Sequence, residues 1–183
     1  MNGDITMSNV TALPSAGRAQ SRMNELVAEQ HDIINFGEIS DEINDILQEG
    51  VAAYRRDKKR ADELFRKALS AAPTELPVYY CLYKIHTYQG NLDDALAMAE
   101  SGLKEGARQA GWPLDWHEWK PQPESLDGPG RFAMYTLKAL AFISLRRDET
   151  ERARHILDTL KWLDPTGQVG WPVIAALADG ISA

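Results

Sequence analysis

Residues 90–103 read GNLDDALAMAESGL, and this stretch carries the pattern that decides the fold. Ala95 is small enough for a second helix to approach closely at that point. Ala99 and Gly102 lie four and seven residues further on, so they fall on the same face of an α-helix and extend its buried stripe. The stretch therefore predicts the second helix of a helix–turn–helix unit.

The same spacing occurs on both sides of this stretch. A small residue is followed by small or apolar residues at +4 and +7 and by proline at +12 in two further sets: Ala61, Phe65, Ala68 and Pro73, then Ala153, Leu157, Leu160 and Pro165. Ala95 follows Ala61 by 34 residues, whereas Ala153 follows Ala95 by 58. The difference predicts an insertion of 24 residues at about 108–131, where prolines and glycines make most of the chain irregular.

A first helix precedes each of these second helices in the predicted arrangement. The matching apolar stripes are Tyr79, Leu82 and Tyr83 in the middle unit, Leu137, Leu140 and Ala141 in the last, and Leu47, Gly50, Val51 and Tyr54 in the first. At the N-terminal end, Ser40 is the predicted N-cap of the first helix, with an apolar lead-in at Ile33, Ile34, Phe36 and Ile39. A final helix over 173–178, after Trp171-Pro172, caps the last unit.

The sequence thus predicts an all-α protein, with residues 1–22 as a flexible tail and residues 23–183 as one domain. Over residues 43–165, apart from the insertion, the repeated positions resemble tetratricopeptide repeats. The resemblance implies a tetratricopeptide-type stack of about three helix–turn–helix units plus the capping helix. It also implies a concave groove that binds another protein, without naming that protein.

A narrower resemblance involves five segments outside the repeat signature. They are Phe36-Gly37-Glu38-Ile39-Ser40, Tyr83-Lys84-Ile85-His86-Thr87-Tyr88, Trp112-Pro113 with Trp116, Arg131 to Leu140, and Gly170-Trp171-Pro172-Val173. These segments are similar to those of the small nitrogenase-associated tetratricopeptide factors of nitrogen-fixing bacteria. The resemblance implies an accessory protein that binds the molybdenum-iron component of nitrogenase, when the cofactor of that component is incomplete or damaged.

Charge and cysteine content limit the kinds of partner and the compartment. The formal net charge is −7, and nucleic-acid binding needs a surplus of lysine and arginine. The one basic stretch, residues 55–60, has no interleaved aromatic residue and reads as a solvated helix end. Cys81 is the single cysteine, and no apolar run approaches the ~20 residues of a membrane span. We therefore expect a cytoplasmic protein with neither nucleic acid nor membrane as a partner.

No motif for catalysis, cofactor binding or metal binding occurs in the chain. The four histidines include no pair at i, i+3 or i+4, and the phosphate-binding and nucleophile-elbow glycine motifs are absent from the sequence. Cys81 is predicted to be a small buried or groove-lining residue. The alternative hypothesis is an enzyme or metallochaperone in which Cys81 or His117 is active.

The groove-facing positions of the first helices give the candidate binding residues. These are Tyr80, Lys84, Thr87 and Tyr88 in the middle unit, Tyr135, Lys138, Phe142 and Leu145 in the last, and, from the first, Gln48 and Arg55. Aromatic side chains would anchor a partner while Lys84 and Lys138 set its register. A co-chaperone that grips a terminal carboxylate is a further alternative, but asparagine is absent from the matching positions.

Three tryptophans within the insertion form a second candidate surface. We predict that Trp116 and Trp119 contact the partner, whereas Trp112 is structural. The alternative is that the rings only fold the insertion back onto the helices. Trp162, at the end of the last repeat helix, is predicted to lie in the core.

Overall fold

The computed structural model describes residues 36–122 and 126–181, and every regular element in these ranges is helical. The helices are α1 (Asp41–Tyr54), α2 (Lys58–Ala71), α3 (Leu76–Gln89), α4 (Leu92–Ala110), α5 (Gly128–Arg146), α6 (Thr150–Leu163) and α7 (Trp171–Ile181). A short 3-10 turn, Trp116–Glu118, lies between α4 and α5. The predicted all-α class is confirmed for the described ranges, whereas the predicted tail, residues 1–22, lies outside them.

Local sequence signals account for the ends of several helices. The Ser40 hydroxyl accepts a hydrogen bond from the Ile43 amide at 3.4 Å, so Ser40 is the N-cap of α1 as predicted. Asp57 caps α2 in the same way, accepting from the Arg60 amide at 2.9 Å. Gly90 ends α3 with φ at 80°, a left-handed conformation that glycine adopts without steric cost.

The helices pack in chain order, each against the next. In addition, α3 contacts α5, and α5 contacts α7. The stripe predicted at 0, +4 and +7 is buried in all three second helices: Ala61, Phe65 and Ala68; Ala95, Ala99 and Gly102; Ala153, Leu157 and Leu160. At Gly102, a β-carbon would stand 2.7 Å from the β-carbon of Tyr79. The small residue therefore sets how near α4 and α3 can approach.

The buried apolar residues form two clusters that meet at α3. One cluster joins α1, α2 and α3 and includes Leu47, Phe65 and Leu82. The other extends from α3 through α7 and includes Leu137 and Trp119. Both clusters are contacted by the half-buried side chains of Tyr80 and Met98. Helix α3 is thus the joint between the two halves of the core.

A polar network supports this joint from outside the core. Asp62 on α2 accepts a hydrogen bond from Arg66 at 2.9 Å, and its other oxygen lies 2.9 Å from Nε2 of His86, which is buried on α3. Arg66 also reaches Asp94 on α4, at 3.3 Å. The network gives the buried imidazole a charged partner and links three helices.

Asp164, at the end of α6, fixes the start of α7. Its side chain is buried and accepts hydrogen bonds from the amides of Gln168 and Val169, each at 3.0 Å. Its backbone carbonyl accepts a third from the Trp171 indole at 2.8 Å. One residue therefore holds the connecting loop and the first residue of α7.

Three sequence predictions need correction in this part of the molecule. The 128–130 stretch, which falls in the predicted irregular insertion, is the first turn of α5, where Pro129 is tolerated because the first amides of a helix have no intrahelical partner. The final helix extends over Trp171–Ile181, beyond the predicted 173–178. Trp162 is 55% exposed because it lies two residues after buried Leu160, about 200° around α6.

The segment between α4 and α5 is shorter than the predicted insertion at 108–131, because α4 continues to Ala110. Trp112 and Trp119 pack edge to face with ring centroids 5.1 Å apart. The Trp119 indole donates a hydrogen bond to the Pro113 carbonyl at 2.7 Å. These two rings hold the segment against the helices.

Candidate functional site

A groove of about 230 Å³ lies where α3 and α5 run side by side, with α7 at one edge. Its lining consists of aromatic, apolar and lysine side chains and one threonine: Tyr80, Tyr83, Lys84, Thr87, Tyr88, Tyr135, Lys138, Ala139, Phe142 and Ile174. Seven of the ten first-helix positions proposed as binding residues are in this set, four from α3 and three from α5. The offsets that placed them on one face of each helix therefore also place them beside each other.

Aromatic rings form the main surface of the groove. The Tyr80 ring lies 5.6 Å from Tyr83 in an edge-to-face arrangement and 6.1 Å from Tyr135 across the groove, between ring centroids. Phe142 lies four residues after Lys138 on α5, about one helical turn, and lines the same groove. We call Tyr80, Tyr135 and Phe142 the aromatic wall. Such rings offer a rigid, amphipathic contact area that loses little conformational entropy on binding.

Each groove lysine lies against a tyrosine. The Lys84 amine donates a hydrogen bond to the Tyr80 hydroxyl at 2.5 Å and lies 4.7 Å from the centroid of that ring. The Lys138 amine lies 3.7 Å from the Tyr135 ring centroid, in cation–π geometry. The aromatic faces thus hold both ammonium groups over the groove.

Burial shifts the acid–base behaviour of the lining. It lowers the pKa of Lys138 to about 8, and the positive charges of Lys84 and Arg131 add to the effect. Burial also raises the pKa of the Tyr80 and Tyr135 phenols, so both remain neutral at physiological pH. The groove therefore carries positive charge and no negative charge from these tyrosines.

Some predicted residues have a different position or role from the one expected. Thr87 lines the groove, but its hydroxyl is buried and donates to the Tyr83 carbonyl at 2.6 Å, so it is occupied within α3. Leu145 is buried, and neither it nor Gln48 nor Arg55 belongs to the groove lining. The predicted groove is therefore confined to α3, α5 and α7.

Trp116 and Trp119, the two rings assigned to partner contact, differ in accessibility. Trp119 is only 3% exposed and belongs to the core cluster, so its ring does not form an outer contact surface as expected. Trp116 is half-buried and stacks on His117 with centroids 3.7 Å apart. It also lies 5.4 Å from the ring of His155 on α6. Only Trp116 keeps an accessible face.

Sequence reasoning missed the groove contribution of Ile174 and the proximity of His155 to Trp116. Ile174 belongs to α7, whose position depends on the buried Asp164 loop rather than on the repeat spacing. His155 is exposed on α6 and meets the insertion only in three dimensions. Neither contact has a signature in the linear spacing of the residues.

The chemistry of the remaining candidate groups is limited. Cys81 is 7% exposed, and burial raises the pKa of its thiol to about 12, so the reactive thiolate is scarce at neutral pH. Within 36–122 and 126–181, no group of three or more His, Cys, Asp or Glu side chains is positioned to hold a metal ion. His117 pairs with the neighbouring Asp115 at 2.6 Å.

In the described ranges the protein is all-helical, and the groove between α3 and α5 presents aromatic rings and two ammonium groups. None of the helices described is both long and apolar enough to cross a bilayer. A scan of protein-family models returns no match, and neither do comparisons with curated proteins and with solved structures.

Proposed function

We propose that the chain is a tetratricopeptide-type protein-binding module and that the groove between α3 and α5 receives a segment of its partner. The observation that carries the proposal is that seven of the ten predicted positions, assigned separately on α3 and on α5, line one groove. Repeated burial at 0, +4 and +7 in three helices supports the repeat assignment. On this proposal the protein acts in the cytoplasm as an adaptor or as an assembly and protection factor.

The first partner to test is the molybdenum-iron component of nitrogenase, which rests on the sequence resemblance alone. A general scaffold or co-chaperone with another partner is the alternative. An enzyme or metallochaperone is less favoured, because the Cys81 thiol is buried and largely protonated. Metal analysis of the purified protein tests this choice, since stoichiometric bound metal would favour the metallochaperone.

The groove is tested by binding of the purified molybdenum-iron component to the immobilised chain. We expect the double variant Tyr135→Ala with Phe142→Ala to bind at least about tenfold more weakly, because interface aromatics often contribute 1–2 kcal/mol or more each. Trp162→Ala, which removes an exposed ring outside the groove, is the control and should bind like the wild type. Circular dichroism checks that both variants remain helical.

Two results would contradict different parts of the proposal. Equal binding of the groove variant and the wild type would remove the groove from the interface. Absence of binding by the wild type would reject this partner while leaving the groove to be tested with the peptides described below.

A further inference from the structure

The two lysines of the groove combine partial burial with the absence of a carboxylate partner among the described residues. Arg66 pairs with Asp62 at 2.9 Å, and Arg152 pairs with Glu100 at 2.6 Å. In the part of the chain that the structure describes, neither Lys84 nor Lys138 pairs with a carboxylate. This is notable in a chain whose acidic residues outnumber its lysines and arginines by seven.

Burial makes the missing counterion costly. Lysines such as Lys67 and Lys104 are also without a pair, but they are exposed, and water solvates their ammonium groups. Lys84 and Lys138 are only partly exposed and lie against tyrosine rings. A half-buried ammonium group without a counterion loses hydration, and here it gains only neutral partners in return: a tyrosine ring for each lysine and, for Lys84, the Tyr80 hydroxyl. An anion in the groove would supply the missing interaction.

We propose that the groove receives an acidic segment of a partner protein, in which a carboxylate pairs with Lys84 and Lys138 while an adjacent apolar side chain packs against the aromatic wall. The inference rests on the proposed function and specifies the chemistry of its partner. Charge complementarity selects the carboxylate, and the size of the groove, about 230 Å³, suits one or two side chains.

Pairing with a carboxylate also couples binding to a proton. The titratable groups that line the groove with Lys138 or act on its charge belong to α3 and α5: Tyr80, Tyr83, Lys84, Tyr88, Arg131 and Tyr135. From the side of α7, the backbone at Gly170 approaches, and a β-carbon there would lie 3.7 Å from the amine. These groups are phenols and cations, and none of them is a carboxylate, so the bound carboxylate would be the main counterion of Lys138.

The sign of the linkage follows from the two states of Lys138. In the free protein its pKa is about 8, and a bound carboxylate raises that pKa toward the ordinary value of 10.5. Below pH 8 the amine is charged in both states, and affinity is independent of this group. Above pH 8 the free amine loses its proton, binding must restore it, and affinity falls by up to about tenfold per pH unit.

The test uses the full chain and two fluorescein-labelled pentapeptides. One has a phenylalanine between pairs of glutamates, and the other has glutamine in place of each glutamate. By fluorescence anisotropy we expect the glutamate peptide to bind at least about tenfold more tightly. Lys84→Gln and Lys138→Gln should each weaken its binding about fivefold or more, because each removes one half-buried ion pair. Lys67→Gln makes the same change in net charge on an exposed site and should have no effect.

Several outcomes separate this inference from the proposed function. Equal binding of the two peptides, with loss of both in Tyr135→Ala with Phe142→Ala, would overturn the acidic partner and keep the groove. Absence of binding by either peptide, or an equal loss in Lys67→Gln and the groove variants, would also overturn it. If the glutamate peptide binds equally well to the wild type, to Tyr135→Ala with Phe142→Ala and to both groove lysine variants, the proposed groove itself would be overturned.

Calorimetry supplies an independent readout of the proton. At pH 8, titrations in buffers of different ionisation enthalpy should show uptake of about half a proton per glutamate peptide bound, because Lys138 is half-protonated when free. Lys138→Gln should abolish the uptake, whereas Lys67→Gln should not. A binding enthalpy that does not depend on the buffer would overturn the pairing with Lys138.

Discussion

Gly102 lies on the face of α4 that packs against Tyr79, where a β-carbon would stand 2.7 Å from the tyrosine β-carbon. We expect Gly102→Ala to lower the free energy of unfolding by about 1–2 kcal/mol. Because 2.7 Å is too short for two β-carbons, the overpacking penalty falls in the upper part of its usual range, about 2–3 kcal/mol, and exceeds the roughly 1 kcal/mol that alanine gains over glycine in a helix. Thermal unfolding followed by circular dichroism measures the change.

Gly180 provides the matched control, because a β-carbon there meets no atom within 4 Å. Gly180→Ala should leave the melting temperature unchanged or raise it slightly. If Gly102→Ala were equally harmless, α3 and α4 would be able to separate without loss, and the small residue would not set their approach.

Residue burial could be predicted from the sequence inside helices and not outside them. The 0, +4 and +7 positions are buried because a helix of 3.6 residues per turn brings them to one face. The core prediction for Trp162 rested on its place at the end of the last repeat helix, but its offset from buried Leu160 turns the ring to solvent. Trp119 lies in an irregular segment, where no period relates position to burial, and only the structure shows that it is buried.

At the scale of elements, α7 depends on Asp164. Asp164→Ala would remove the side-chain acceptor of two backbone amides, the buried one of Val169 and the partly buried one of Gln168. We expect a loss of about 1–3 kcal/mol, the usual cost of leaving buried donors unsatisfied. Because Ile174 lines the groove, affinity for the glutamate peptide should fall as well.

The control for this variant is Asp158→Ala, which removes an exposed carboxylate from the same part of α6. It should change neither the melting temperature nor the affinity by a measurable amount. A melting temperature for Asp164→Ala equal to that of Asp158→Ala would show that the loop is held by other contacts.

The insertion should respond differently to its two tryptophan substitutions. Trp119→Ala removes a core ring and its hydrogen bond to Pro113, and we expect about 3–5 kcal/mol of destabilisation. Trp116→Ala removes a half-buried ring and should cost about 1 kcal/mol. Melting temperatures test both values, and partner binding by Trp116→Ala alone tests the role of the insertion in the interface.

Similar destabilisation by the two substitutions would contradict the assignment of Trp119 as the ring that anchors the segment. The sequence predicted an insertion because the spacing from Ala95 to Ala153 exceeds the spacing from Ala61 to Ala95 by 24 residues. Its boundaries were less accurate, since α4 simply continues through residues that were assigned to the irregular segment.

At the scale of the whole molecule, the groove was predictable because α3 and α5 pack side by side. Two sets of offsets then specify a shared surface even though each was read from its own helix. The contribution of α7 was not predictable, since it depends on a loop conformation set by one buried carboxylate. The periodicity of the sequence does not identify the partner. Only the charge and the aromatic content of the groove indicate its chemistry.

The two core clusters differ in their content of tryptophan, the main fluorescent residue of the chain. All five tryptophans lie at or after position 112, and the cluster formed by α1, α2 and α3 contains none of them. Tryptophan emission therefore senses only the half that carries the insertion and α7, whereas circular dichroism averages over every helix. If the joint at α3 is the weak point, heating should give different midpoints for the two signals, and coincident midpoints would mean that the two halves melt as one cooperative unit.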